Sequence, residues 1–142
     1  EKIDGLSIPR PTDLRYNVSW FFTDYFPGTT RWRFTLKAAF ADGLPFGPPR
    51  SDKSKQTLRA PAYKRVDIGF QYQLVGAPTE GVRPYNFWRH FKSINIGVDV
   101  FNLLGISNVS SCYWVTDVNN LQYAVPNYLT GRQFNLTLSA SF

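Results

Sequence analysis

The sequence predicts an all-β fold, an antiparallel meander of about five long strands. Three observations predict it: sustained period-two alternation, the length over which it holds, and the pattern of connection lengths. Alternation puts successive side chains on opposite faces, so a run that is apolar at every second position has one face to hide. Strands in soluble proteins average about 5–6 residues. These runs hold for roughly 9–12, and about ten residues tilted near 45° span the ~25 Å apolar band of an outer-membrane barrel. The expectation is therefore strands that hide one face in lipid, as part of a transmembrane β-barrel, with a soluble β-sandwich as the alternative that alternation also allows.

The first run sets Leu14, Tyr16, Val18, Trp20 and Phe22 against Arg15, Asn17, Ser19, Phe21 and Thr23. A compact turn with Pro27 and Gly28 follows. In the second run Trp32, Phe34, Leu36, Ala38 and Phe40 alternate with Arg31, Arg33, Thr35, Lys37 and Ala39. A long Gly/Pro/basic connection, about Asp42 to Ala60, leads to the third, where Lys64, Val66, Ile68, Phe70, Tyr72 and Leu74 alternate with Tyr63, Arg65, Asp67, Gly69, Gln71 and Gln73. A medium segment from Val75 to Phe91, with Pro78, Gly81, Pro84, Trp88 and His90, precedes Ile94, Ile96, Val98 and Val100 against Asn95, Gly97, Asp99 and Phe101. After a long loop, Leu104 to Thr130, the last strand places Phe134, Leu136, Leu138, Ala140 and Phe142 on one face.

Composition agrees. The chain is 43% hydrophobic and 17% aromatic, yet its mean hydropathy is slightly negative and no stretch approaches the roughly 20 apolar residues of a membrane helix. Polar lumen positions dilute lipid-facing ones in this way. The chain contains no Met and no signal peptide, and five strands cannot close a single-chain barrel, so a fragment or processed piece is expected. Cys112 is the only cysteine, which excludes an internal disulfide; it reads as a half-buried small residue. The net charge of +6 clusters partly in Arg50, Lys53, Lys55, Arg59, Lys64 and Arg65. That run carries no nucleic-acid fold motif and reads as a solvated or headgroup-facing loop, with no nucleic-acid partner. No nucleophile–base pair, metal cluster or phosphate loop is present, and His90 has no second imidazole to join. The chain is expected to be no enzyme and to hold no metal or cofactor.

Outer-membrane barrels have short periplasmic turns and long extracellular loops. A periplasmic carboxy-terminus puts Leu104–Thr130 and Asp42–Ala60 outside and the Pro-Gly turn inside, with the medium segment the misfit.

Several stretches, in order, resemble the late barrel of TonB-dependent outer-membrane receptors. Pro11-Thr12-Asp13-Leu14-Arg15-Tyr16-Asn17 is similar to the family's P-x-D-x-R-H/Y-N, although Tyr16 stands where His is common. Phe40 to Pro49 resembles the SGxPFTPP loop, and Pro61 to Gly69 resembles P-x-Y-x-R-x-D-x-G. Val98 to Leu104 resembles L-x-V-x-N-L-F/L, and Val125 to Arg132 running into Phe142 resembles the P-G-R-x-F final strand, without the usual proline before Gly131. The resemblance implies that residues 1–142 are the carboxy-terminal portion, the terminal part of a large transmembrane β-barrel whose plug domain and earlier strands are absent, and that the function is active transport of a scarce nutrient (siderophore, glycan, peptide or similar) across the outer membrane of a Gram-negative bacterium. It also implies partners: outer-membrane lipid, an amino-terminal plug domain, a TonB-type energy transducer, the barrel assembly machinery and a surface lipoprotein.

Candidate residues follow. Arg33, Lys37, Arg65, Asp67, Gln71, Gln73, Asn95, Asp99 and Asn135 should face the lumen, either as polar lining against a plug or as a substrate path. Gly69 and Gly97 leave room there for a close backbone approach or a bulge. Tyr113, Trp114 and Tyr123 are the extracellular-loop ligand candidates, with packing inside the loop as the other reading. Phe134, Leu136, Leu138 and Phe142 read as an assembly signal, as an ordinary lipid-facing strand, or as both. Two other fold and function classes stay open: a soluble β-sandwich binding carbohydrate through loop aromatics, and a passive porin.

Overall fold

The computed structural model describes residues 2–3, 6–7, 9–10, 12–49, 58–76 and 90–142. Pro11, the basic residues Arg50, Lys53 and Lys55, and most of the medium segment (Pro78, Gly81, Pro84 and Trp88 among them) lie outside the described residues. The described residues form strands β1 (Lys2–Ile3), β2 (Leu6–Ser7), β3 (Asn17–Tyr25), β4 (Trp32–Ala41), β5 (Pro45–Phe46), β6 (Leu58–Arg59), β7 (Tyr63–Val75), β8 (Ser93–Phe101), β9 (Val109–Thr116), β10 (Gln122–Tyr128) and β11 (Gln133–Ser141). Among them, no helix is long and apolar enough to cross a membrane, which says nothing of crossing by strands.

The five long alternating runs are the five strands of one antiparallel sheet, in the order β11-β8-β7-β4-β3. Neighbours in sequence are neighbours in the sheet, so it is an up-and-down meander, open at β3 and at β11. The first strand starts at Asn17 rather than Leu14, because Asp13 N–H bonds Arg10 O (2.9 Å) and turns the chain before it. β3 and β4 are joined by Phe26-Pro27-Gly28-Thr29. Thr29 N–H donates to Phe26 O (3.1 Å) and Gly28 has φ +82°, as a type II turn with proline first and glycine second requires.

The register aligns the alternation from strand to strand. Ile68, Val100 and Phe134 are lateral partners, as are Phe70, Val98 and Leu136, and Tyr72, Ile96 and Leu138. A one-residue slip would turn these side chains to the other face, so the shared pattern fixes the pairing. Rings continue the rows: Phe22 to Phe34 (6.4 Å between centroids), Phe34 to Phe70 (5.1 Å) and Trp32 to Tyr72 (4.5 Å).

Among the described residues this apolar face stays partly exposed. Ile94 is the one large apolar side chain buried among the described residues, whereas Phe134, Leu136, Leu138 and Phe142 are each about 70% exposed. Outside the sheet, the long loop expected from Leu104 to Thr130 carries two strands of its own. β9 and β10 pair as a hairpin, with Tyr123 opposite Val115 and Ala124 opposite Trp114. β5 and β6 form a second small pair, closing on Ala60 N–H to Leu44 O (3.0 Å).

Contacts divide the chain into two compact units. One comprises Glu1–Ser19, Ala39–Arg65 and Ile106–Gly131; the other comprises Trp20–Ala38, Val66–Gly105 and Arg132–Phe142. In the first, Arg59 is a fork. Its guanidinium donates to Asp42 Oδ2 (2.9 Å), Gly43 O (3.1 Å), Asp13 O (3.2 Å) and the Asp13 carboxylate. Asn108, 5% exposed, accepts from Lys64 N–H (2.9 Å) and donates to Lys64 O (2.8 Å), so its amide takes the place of a strand neighbour. In the second unit Asn102 ends β8 with φ +51°, its N–H bonded to Asp67 Oδ1 (2.8 Å).

Candidate functional site

The polar face of the sheet forms the site, and it is built by the same alternation that builds the apolar one. Within the second unit an open cleft of about 240 Å³ is lined by alternate positions of β4, β8 and β11, Phe101 among them, and by the consecutive run Asp67 to Gln71 of β7. Across the strands Gly69 pairs with Asp99 and Asp99 with Asn135; Gln71 pairs with Gly97 and Gly97 with Thr137. Small residues (Thr35, Gly69, Gly97, Thr137 and Ser139) make the floor, and longer polar side chains rise around it.

Of the residues expected to face the lumen, Arg33, Lys37, Asp67, Gln71, Asn95 and Asp99 line this cleft together. Gln73 lies opposite Asn95, and Asn135 opposite Asp99, on the same face. Arg65 falls in the first unit, apart from the cleft residues in the division of the chain. Arg33 Nη2 donates to Gln71 Oε1. Asn135 Nδ2 donates to Asp99 Oδ2 and to Thr137 Oγ1, both at 3.2 Å. Asp99 leans over Gly69, where a methyl group would lie 2.5 Å from Oδ1. Gly69 therefore makes room for a carboxylate rather than for a bulge.

Lys37 places its ammonium 5.8 Å from the centre of the Phe21 ring, within cation–π range. Phe21 was readable only as one of the polar-face positions of its strand, yet it is an aromatic ring 61% exposed. The signal was there in the run Trp20-Phe21-Phe22, the one place where aromatic residues occupy consecutive positions of a sheet strand and so fall on both faces.

The loop candidates do not converge. Tyr113 and Tyr123 share one face of the hairpin with Val115 and Val125, and both are exposed. Trp114 lies on the other face, half-buried, its ring 6.2 Å from that of Phe46. Phe134, Leu136 and Leu138 project from the edge strand β11, and Phe142 meets Phe91 with centroids 4.7 Å apart. Among the described residues there is no group of three or more His, Cys, Asp or Glu able to hold a metal ion. His90 and Cys112 stand outside the cleft lining. Comparison with protein-family models, with curated proteins and with solved structures finds no match to this chain.

Proposed function

We propose that the chain is a wall segment of a TonB-dependent outer-membrane receptor, which carries a scarce nutrient across the outer membrane through a plugged barrel. One observation carries the reading: five long strands in a single meander present a continuous apolar face that remains exposed, with a polar face behind it. Hiding a Leu or Phe side chain from water is worth roughly 1.5–3 kcal/mol. For Phe134, Leu136, Leu138 and Phe142 together that is about 6–12 kcal/mol, as large as the whole stability of an ordinary domain. Such a face needs a cover. The remaining sheets of the described residues are two-stranded pairs, which are too small to be the second layer of a sandwich. Lipid is the cover that suits the length of the strands and their one-sided alternation.

In this reading β3 and β11 pair with further strands, because unpaired backbone in hydrocarbon is very costly. The polar face then lines the interior, and the resemblance of the ordered motifs adds the plug and the energy transducer. The test is cell fractionation followed by gel electrophoresis of the full-length protein with and without boiling. The reading expects an outer-membrane band whose mobility changes on heating. A soluble full-length protein with one mobility sinks it.

A further inference from the structure

We infer that the outer edge of β9 docks an extended segment of a partner protein, added as a third strand beside the β9–β10 hairpin. The inference goes beyond the transport reading, and the hairpin lies wholly in the first unit. The direction of the backbone groups carries it. Asp117 N–H donates to Leu121 O (2.9 Å), which makes residues 117 and 121 a hydrogen-bonded pair. Bonded and non-bonded pairs alternate along an antiparallel ladder, so Val115–Tyr123 and Tyr113–Val125 are bonded across the hairpin. Cys112–Pro126, Trp114–Ala124 and Thr116–Gln122 are the non-bonded pairs, whose N–H and C=O groups point away from the neighbouring strand.

The two outer edges are therefore unequal. On β10 the outward set includes Pro126, which has no N–H to offer, and proline is one of the devices that blunt a free edge. On β9 the outward residues Cys112, Trp114 and Thr116 each keep a donor and an acceptor. Among the described residues no backbone hydrogen bond from outside the hairpin reaches them. The strand itself, Val109-Ser110-Ser111-Cys112-Tyr113-Trp114-Val115-Thr116, has no charge, no Pro and no Gly. Natural sheets rarely leave so long and unguarded an edge bare. The remaining edges are accounted for. β3 and β11 continue into further strands in the barrel reading, and β1, β2, β5 and β6 are two residues each.

The same geometry states the occupant. Outward N–H and C=O groups at every second residue match the repeat of an extended backbone, as in recognition by strand addition. Tyr113 and Val115 are exposed on one face of β9, so β-branched or aromatic side chains at alternate positions of the added strand pair with them.

The test uses full-length protein in detergent and a labelled synthetic peptide of alternating Val and Thr. Saturable binding is expected. The same peptide N-methylated at every residue should not bind, because its side chains remain while its donors are gone. Amide exchange resolved to single residues locates the added strand. The peptide should slow exchange at Cys112, Trp114 and Thr116 by about tenfold or more, and leave Tyr113 and Val115, already bonded to β10, unchanged. Thr116→Pro removes one outward donor and no hairpin bond, so it should weaken binding about tenfold. No saturable binding, equal binding of the N-methylated peptide, or no slowing at the three outward amides would each overturn the inference. Slow exchange at those amides in the free protein, together with the mass of two copies, would give the edge to a second copy and overturn the separate partner. The heating assay is read separately: a soluble full-length protein would sink the barrel reading and leave peptide binding at β9 to be judged by its own result.

Discussion

Gly43 and Gly69 are both short of space, but a methyl group would meet a different kind of atom at each. At Gly43 it would lie 1.6 Å from the carbonyl oxygen of Ala60, a backbone atom fixed by the β5–β6 pair. At Gly69 it would meet the Asp99 carboxylate, the end of a side chain that can rotate away. Gly43→Ala should therefore cost several kcal/mol and cut the yield of folded protein, whereas Gly69→Ala costs about 1 kcal/mol and loosens the Asn135–Asp99 bond. The temperature at which the heat-modifiable band unfolds ranks the two; equal effects would contradict the geometry. Arg59 gives a second case at this scale. Its side chain is 19% exposed and Asp42 is 14% exposed, so Arg59→Ala takes the shared cation from both acids, while Asp42 keeps Arg15 at 3.7 Å. A loss of about 2 kcal/mol is expected, below the 3–5 kcal/mol of a fully buried pair because Asp13 keeps access to solvent. Denaturant titration of the full-length protein measures it. This fork was illegible in the sequence, since Asp13 and Arg59 are 46 positions apart. By contrast the turn glycine Gly28 was legible, because the Pro-Gly pair names its own turn.

The long strands were legible because each carries a run of alternation with turn residues at its ends. The hairpin β9–β10 was not. Its residues Cys112-Tyr113-Trp114-Val115 are apolar at consecutive positions, so period two is lost, and Pro126 within β10 argues against a strand. The pair holds together through its turn instead. Asp117 Oδ1 accepts from Asn119 N–H (2.8 Å) and Leu121 N–H (2.9 Å), and Asn120 takes φ +65°. Asn120→Gly should therefore be neutral, while Asn120→Val costs about 1–2 kcal/mol and opens the tip to protease. Limited proteolysis of the full-length protein, followed by mass spectrometry of cuts between residues 117 and 121, reads this directly. The polar cleft was half-legible: parity gave the shared face of Arg33, Asp67 and Asp99, but not the lean of Asp99 over Gly69. On β11 the two faces should differ sharply in tolerance. Leu138→Arg places a cation on the apolar face and costs about 2–4 kcal/mol in lipid near mid-depth, whereas Thr137→Arg on the polar face leaves assembly intact. Outer-membrane yield of the two variants separates them, and similar yields would argue against a lipid-facing side.

At the scale of the whole molecule, the described residues give one five-stranded sheet with two faces and Ile94 as the one large apolar side chain that is buried. Its stability is expected to come from lateral strand pairing and from whatever covers the apolar side, in place of a packed interior. The central claim is that lipid covers one face and water the other. It is tested most directly by single cysteines along β11, placed one at a time at residues 134 to 139 in full-length protein carrying Cys112→Ser, in native outer membranes. A membrane-impermeant, charged thiol reagent should label positions 135, 137 and 139 and spare 134, 136 and 138, while a lipid-soluble nitroxide contacts the spared set. Uniform labelling of all six, or labelling of the even set alone, would contradict the account.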